Sequence, residues 1–150
     1  MNIGVFFGSR SPEHDVSIVT GELIISGLKK LGHTVIPVYI DKKGRWLIGE
    51  ELGSIRVFTE NRVDKVKGVG EYAIDLENSH GKLVFRKKGA FGKEVTVDLA
   101  FPAFHGSFGE DGTIQGLFEM FDVPYVGCDT TCSAVTMDKV LTKLCFHSYG

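Results

Sequence analysis

The chain has 150 residues, of which 43% are apolar and 24% charged, with a formal net charge of −2. These values are typical of a single globular domain with a sizeable core. The near-neutral charge gives no reason to expect nucleic acid or an anionic membrane as a partner. No apolar run approaches the roughly 20 residues that span a bilayer, and the N-terminus lacks the pattern of a secretory signal.

A strand, a helix and a second strand are predicted at the start of the chain. The short apolar run Asn2 to Phe7 is typical of a buried strand. A long helix follows, with Ser11 as its N-cap, Pro12 at its first position and Gly32 as its stop. His33 to Ile40 is the second strand, and this order predicts a right-handed parallel βαβ unit. The helix is expected to pack through one apolar stripe, which consists of Val16, Val19, Leu23, Ile24, Leu28 and Leu31.

The segment from about residue 41 to residue 94 differs in composition from its surroundings. It is rich in charged residues and glycines around three short β-like runs, which are Arg45 to Ile48, Tyr72 to Leu76 and Leu83 to Arg86. We interpret this segment as a β-rich insertion of small hairpins and loops, not as a second domain.

The last part of the chain returns to the sheet at Val95 to Phe104 and then turns helical. Apolar spacing predicts a helix over Gly112 to Phe121, and Pro124 to Gly127 is expected to be a short strand. Thr130 to Ser148 is expected to be one last helix, with Ala134, Met137, Leu141, Leu144 and Cys145 on one face. The predicted fold class is therefore α/β, a Rossmann-like parallel sheet flanked by helices, with a β-rich insertion.

Two polar loops follow predicted strands at one edge of this sheet. The first runs from Gly8 to Ser17, and the second runs from His105 to Gly112 after the apolar run Leu99 to Phe104. Ligands of parallel α/β sheets bind outside the carboxyl ends of the strands, so the loops are expected to form two walls of one site. The first loop lacks two glycines of the dinucleotide fingerprint, and the negative charge of Glu13 would repel a bound phosphate. This loop is therefore not expected to bind a phosphate.

Several side chains near these loops are candidates for function, and each has a structural alternative. Glu13 suits a cationic group such as an amine, or it only complements the helix dipole. His105 can donate a hydrogen bond to a carboxylate or acyl oxygen, or it is a structural histidine in a tight turn. Lys139 is either a phosphate-binding charge or an exposed helix lysine. His14 and Asp15 are expected to face solvent or to cap the helix.

No metal site is predicted. Glu110 and Asp111 are adjacent carboxylates in a loop that starts a helix, where capping is the common role. Cys128 and Cys132 have no second Cys/His pair at zinc spacing. With Cys145, these thiols are interpreted as small apolar residues of a reduced cytosolic protein.

Three segments together carry a family resemblance. Gly8 to Ser17 resembles the N-terminal signature of the D-alanine–D-alanine ligases, and His105 to Glu119 matches the family's His-Gly…Gly-Glu-Asp-Gly…Gln-Gly…Glu segment. Pro124 to Lys143, with Met137-Asp138-Lys139, is similar to the third block of the family. The blocks follow in the family's order, although Ser9 stands where the family often has a second glycine.

The resemblance implies that residues 1–150 are a substrate-binding, pre-ATP-grasp domain, and that the ATP-grasp part of the family lies outside this chain. The complete enzyme would use ATP and Mg²⁺ to join two D-alanines through an acyl phosphate, for peptidoglycan, the cell wall and cell shape. It would be a cytoplasmic homodimer, and this chain alone would be inactive.

The resemblance also implies roles for three side chains. Glu13 would hold the ammonium of the first D-alanine, His105 would bond the same substrate near its carboxylate, and Lys139 would reach an ATP phosphate. D-lactate and D-serine stay open as second substrates. The alternative from another class is a stand-alone small-molecule-binding or dimerisation module of doubly wound fold.

Overall fold

A computed structural model describes residues 1–89 and 92–148 in full and the backbone of residue 149. Within this part of the chain the strands are β1 (Asn2–Gly8), β2 (Thr34–Ile40), β3 (Trp46–Ile48), β4 (Gly70–Ile74), β5 (Leu83–Lys87), β6 (Glu94–Val97) and β7 (Leu99–Pro102). The helices are α1 (His14–Lys30), α2 (Arg56–Thr59), α3 (Thr113–Met120), α4 (Thr130–Met137) and α5 (Lys139–Tyr149). None of these helices is long and apolar enough to cross a membrane.

The strands form one sheet in the order β6-β5-β4-β3-β2-β1-β7. β1 is parallel to β2, and their pairing runs from Asn2 opposite Thr34 to Gly8 opposite Ile40. β1 is also parallel to β7. The predicted βαβ unit and the α/β fold class are therefore confirmed. The short strand predicted after Pro124 is present only as a single parallel bridge between Ala100 and Tyr125.

The predicted insertion is an antiparallel meander that extends the same sheet beyond β2. It is not a separate unit, as expected, although residues 90 and 91 of it lie outside the described residues. The predicted strand Val95 to Phe104 is divided at Asp98 into the end of the meander and the parallel strand β7. Asp98 marks this change because its carboxylate accepts a hydrogen bond from the Asn2 amide at 2.7 Å.

The meander folds back over β1 and closes one of two apolar cores. In this core the Phe6 ring lies 6.3 Å from Phe85 of β5 and 5.1 Å from Phe118 of α3, centroid to centroid. A Cβ on Gly4 would lie only 2.7 Å from Val97 Cγ1, so the close approach of β6 to β1 depends on a glycine. The second core lies on the α1 side of the sheet and includes Val5, Phe7, Ile18, Ile25, Val35, Tyr39, Leu47, Leu52 and Val57.

Helix α1 packs through a face that overlaps the predicted one only at Ile24 and Leu28, which are half-buried against the second core. Its buried residues are His14, Ser17, Ile18, Gly21 and Ile25, whereas four residues of the expected stripe are exposed, namely Val16, Val19, Leu23 and Leu31. The physical reason is close packing. The helix lies against the Phe7 ring at Gly21, so the face that meets the sheet combines Ile18 and Ile25 with the small residues Ser17 and Gly21.

The predicted ends of α1 are partly correct. The helix begins at His14, and Glu13, not Ser11, occupies the cap position. The Ser11 hydroxyl instead accepts a hydrogen bond from the Glu13 amide at 3.1 Å. The stop at Gly32 is confirmed, since its φ is +84° and the two amides after Leu31 bond back to carbonyls of the last turn.

The last predicted helix is two helices. Asp138 has extended backbone between α4 and α5, and its carboxylate accepts hydrogen bonds from the amides of Val140 and Leu141 at 2.8 and 3.1 Å. An aspartate that caps a new helix therefore ends the old one. The predicted apolar face does not enter the core, since Met137, Leu141 and Leu144 are exposed.

Two glycines of α1 provide a matched test of this packing. In Gly21→Ala the new Cβ would lie 2.7 Å from Phe7 Cγ, and we expect a loss of about 1–3 kcal/mol in the free energy of unfolding. In Gly27→Ala it would meet nothing within 4 Å, and the better helix former is expected to add up to about 1 kcal/mol. Urea unfolding measures both. Shifts of the same sign and size would contradict the contact with Phe7.

Candidate functional site

The Ser17 hydroxyl fixes the ends of two strands. Ser17 lies fully buried on α1. Its Oγ accepts a hydrogen bond from the Gly8 amide at the end of β1 and donates one to the Ala103 carbonyl just after β7, both at 2.8 Å. The first and second loops therefore both start next to a backbone group that is hydrogen-bonded to Ser17.

The first loop begins with two residues of left-handed backbone. Gly8 has a φ of +94°, and a Cβ there would collide with the Ile40 carbonyl oxygen. Ser9 follows with a φ of +76°, and its amide donates to the same carbonyl at 2.7 Å. The glycine that the ligase family often has at the second position would suit this backbone without strain.

His14 is buried in the frame of this loop, so the prediction that it faces solvent or caps the helix is wrong. Its Nδ1 lies 2.5 Å from the Ser9 carbonyl oxygen and its Nε2 lies 2.9 Å from the Tyr39 hydroxyl. Because a carbonyl oxygen only accepts, Nδ1 donates to Ser9, and Nε2 is hydrogen-bonded to the Tyr39 hydroxyl. Burial, with the charge of Asp41, raises the pKa of Tyr39 to about 12 and keeps that hydroxyl a donor. Asp15 is exposed, as predicted.

The second loop is held by its own carboxylates. Glu110 accepts a hydrogen bond from the Gly106 amide at 2.7 Å, and Asp111 accepts from the amides of Phe108 and Thr113 at 2.8 and 3.0 Å. Burial acts to raise the pKa of Asp111, but these hydrogen bonds together hold it below its ordinary value. Asp111 therefore bonds the first residue of α3, as the capping interpretation predicts, whereas Glu110 bonds an amide within the second loop.

The two loops touch at Gly106. This residue has a φ of +70°, and a Cβ on it would lie 2.8 Å from Ser11 Oγ and 3.0 Å from Glu13 Oε1. A second contact joins the loops nearby, where the Arg10 guanidinium lies 4.9 Å from the centroid of the Phe108 ring. The two loops are therefore adjacent, which the prediction that they form two walls of one site requires.

The Glu13 carboxylate is available at this junction. It is exposed, and among the described residues it makes no ion pair and no capping hydrogen bond. It also lies at the start of α1, where the helix dipole favours a negative charge. This geometry accommodates an added cation directly against the second loop.

His105 lies partly buried between the second loop and α1, with 30% of its side chain exposed. Its Nε2 is 2.8 Å from Thr20 Oγ1, and its Nδ1 is 3.9 Å from Glu110 Oε1. Sequence reasoning missed Thr20, because an ordinary helix threonine gives no signal of a partner far along the chain.

Lys139 is the exposed first residue of α5. It lines an open cleft of about 530 Å³ together with Asp111 of the second loop, and neither Glu13 nor His105 lines that cleft. The structure therefore brings Glu13 and His105 to the start of the second loop and places Lys139 beside its end.

A further cavity of about 350 Å³ lies beside the loop junction. Arg10, Phe108, Lys43 and Trp46 line it, with Leu117 of α3. Sequence reasoning did not single out this cavity, since its lining comes from both loops, the turn before β3 and α3. Among the described residues no group of three or more His, Cys, Asp or Glu side chains is arranged to hold a metal ion.

Comparison with known proteins identifies the family. Residues 2–128 match the model of the D-Ala–D-Ala ligase N-terminus. The chain belongs to this family. It is 42% identical over 144 residues to the D-alanine–D-alanine ligase of Thermosipho melanesiensis, covering 96% of this chain and 38% of that protein. It is 37% identical to the corresponding ligase of Chloroherpeton thalassium, covering 99% of this chain and 40% of that protein.

Solved structures of ligases share the fold. The D-alanine–D-alanine ligase from Coxiella burnetii superposes with a TM-score of 0.86 at 29% identity, over 100% of this chain and 41% of that one. The D-Ala:D-Ser ligase VanG from Enterococcus faecalis gives 0.76 at 32% identity, over 93% of this chain and 39% of that one. The chain thus spans about 40% of the length of the curated relatives it matches.

Two serines of α1 test the frame of the site. Ser17→Ala leaves the buried Gly8 amide and Ala103 carbonyl without this partner, and we expect a loss of about 1–3 kcal/mol in the free energy of unfolding. Ser26→Ala changes an exposed serine of the same helix and is expected to stay within about 0.5 kcal/mol. Chemical denaturation of the two variants measures the difference, and equal midpoints would contradict a structural role for the Ser17 hydroxyl.

Proposed function

We propose that this chain is the N-terminal, substrate-binding domain of an ATP-dependent D-alanine–D-alanine ligase. The observation that carries the proposal is the Glu13 carboxylate against Gly106, which forms no ion pair among the described residues. It lies at the contact between two loops that both match the family's segments. In the proposed reaction the carboxylate of one D-alanine is phosphorylated to an acyl phosphate. The amine of a second D-alanine then attacks it, giving the dipeptide used in peptidoglycan.

Glu13 is proposed to bind the ammonium group of the first D-alanine. This carboxylate is exposed and forms no ion pair with another described residue, so it is available to a ligand. A charge-assisted hydrogen bond to an ammonium is stronger than one between neutral groups.

His105 is proposed to bond the same D-alanine near its carboxylate. The Thr20 hydroxyl holds its Nε2 and Glu110 lies on the side of Nδ1, so the ring orientation is fixed before substrate arrives. Positioning of this kind contributes to rate because the reacting groups meet in a productive geometry.

Lys139 is proposed to contact an ATP phosphate. Its ammonium is exposed in an open cleft and makes no ion pair among the described residues, so it fits a phosphate oxygen. For Mg²⁺ the described residues contain no suitable cluster of three ligands, and we assign no metal ligand to them.

A cytoplasmic homodimer is proposed as the form of the complete enzyme. The proposed use of ATP as a substrate supports a cytoplasmic location. The exposed aliphatic residues Val16, Val19 and Leu23 on α1 support self-association, because unpaired apolar surface marks interfaces.

The first test is Glu13→Gln in the complete enzyme. Loss of the charge-assisted bond is expected to raise the KM for the first D-alanine by about ten- to a hundredfold, with little change in the KM for ATP. Asp15→Asn is the control, because that exposed carboxylate pairs with Lys42 on the surface. Unchanged kinetics in Glu13→Gln would leave only the helix-dipole role.

The second test separates catalysis from structure at His105. His105→Ala is expected to lower kcat by about 10² or more without a large change in melting temperature. Thr20→Val keeps the ring but removes its partner on α1, so we expect a smaller loss of kcat. A collapse of the melting temperature in His105→Ala would assign the residue a structural role.

The third test concerns the nucleotide. Lys139→Met is expected to weaken ATP use in the complete enzyme, while stability changes by under about 0.5 kcal/mol and D-alanine binding without nucleotide is unaffected. Lys30→Met, at the exposed end of α1, is the control. If Lys139→Met keeps the parent's ATP KM and turnover, the lysine belongs to the solvated surface.

A further inference from the structure

The cavity beside the loop junction is lined by side chains from four parts of the fold. Arg10 belongs to the first loop, Phe108 to the second loop and Leu117 to α3, while Lys43 and Trp46 come from the turn before β3 and the start of that strand. None of the three side chains proposed to bind the substrates lines it. The cavity is therefore a separate candidate site, and its volume of about 350 Å³ lies in the range of small-molecule pockets.

Two positive charges lie at this cavity without a counter-ion. Neither Arg10 nor Lys43 makes an ion pair with another described residue, and none of the described Asp or Glu side chains lines the cavity. The neighbouring Lys42 differs, because its ammonium pairs with Asp15 at 3.2 Å. The cavity therefore favours an anionic group, and the fork of a guanidinium suits a carboxylate.

The rest of the lining is mainly apolar and aromatic. Ile40 and Ile114 are buried, Trp46 and Leu117 are half-buried, and 41% of Phe108 is exposed. Ligand pockets typically combine such a lining with a few polar groups that fix orientation. The lining therefore matches a molecule that has an apolar body and one anionic end.

Both loops carry strained backbone at this cavity. Ser9 and Phe108 line it with φ angles of +76° and +68°, which residues other than glycine rarely adopt. The Phe108 amide donates a hydrogen bond to the Asp111 carboxylate at 2.8 Å, and this bond helps to hold the conformation. Strain of this kind gathers at ligand sites, and here it keeps a large aromatic ring at the cavity instead of in a core.

We propose that this cavity binds a small aromatic carboxylate that is neither of the proposed substrates. The carboxylate lies between Arg10 and Lys43, and the ring packs against Trp46 and Leu117. Because the first and second loops both line the cavity, the bound molecule contacts both of them beside their junction at Gly106.

Trp46 gives a direct readout of occupancy, because it is the only tryptophan of the chain. The probe is 3-phenylpropionate, which absorbs little of the light that excites tryptophan. We expect a saturable change in Trp46 emission with a dissociation constant of about 1 mM or below. The uncharged 3-phenylpropanamide is expected to bind about tenfold more weakly. Propionate, which lacks the ring, is expected to give no saturable change.

The titration is run with a reducing agent that is not a thiol. The reason is that Cys128, Cys132 and Cys145 are free and exposed, so they can crosslink two chains on oxidation. Their exposure also corrects the interpretation of these cysteines as small packed residues.

Substitutions locate the probe. Arg10→Gln and Lys43→Gln are each expected to weaken binding by about threefold, and the double variant by about tenfold or more. Lys42→Gln is the matched control and is expected to bind as the parent does, because Lys42 does not line this cavity. Lys43 and Trp46 also line a neighbouring cavity together with Lys88, so Lys88→Gln tests whether the probe lies there instead.

Four results would overturn the proposal. They are no saturable change in the parent, equal affinity for the acid and the amide, parent-like affinity in the double variant, and weakened binding in Lys88→Gln. Since Arg10, Lys43 and Lys88 are exposed, the variants are expected to fold, and melting curves check this. If a variant melts early, the parent's salt dependence tests the charges, because added salt weakens binding between exposed charges. An affinity that does not change with salt would then contradict the proposal.

Discussion

The hydroxyl of Ser17 is the contact on which the geometry of the site depends. It joins the ends of β1 and β7 to α1, and without it a buried amide and a buried carbonyl would lose their partner. His14 and Thr20 act on either side of it, at three-residue spacing along the helix. His14 bonds the Ser9 carbonyl and Thr20 bonds His105. One edge of α1 thus holds both loops through three polar side chains.

Helix α1 also shows which features of the fold can be predicted from the sequence and which cannot. The bounds of β1 and β2, the βαβ order and the stop at Gly32 follow from local chemistry, and they were predicted to within one residue. The buried face of α1 was not, because His14, Ser17 and Gly21 carry little hydrophobic signal while Val16 and Leu23 carry much. Hydrophobic periodicity identifies the helix but not the face that packs closely on an aromatic ring.

The candidate site was predictable to a similar extent. The two loops and Glu13 stand out because polar, glycine-rich segments follow apolar strands, and the family resemblance supplies their roles. The contact of Arg10 with Phe108 and that of His105 with Thr20 were not predictable, since each joins residues far apart in the chain. The break at Asp138 shows a third limit. A single capping aspartate overrides an apolar pattern that continues through it.

A substitution at Gly106 can change the gap between the two loops in one direction only. The Ser11 hydroxyl and the Glu13 carboxylate already lie at contact distance from the place where a side chain would begin. No atom can be removed from a glycine, so substitution at this position can narrow the gap between the loops but never widen it. At Gly106, more room between the loops can therefore come only from a change in the first loop, at Ser11 or Glu13, or from movement of a whole loop. At this contact the second loop sets a fixed limit on the gap between the loops, and only residues of the first loop can change it by substitution.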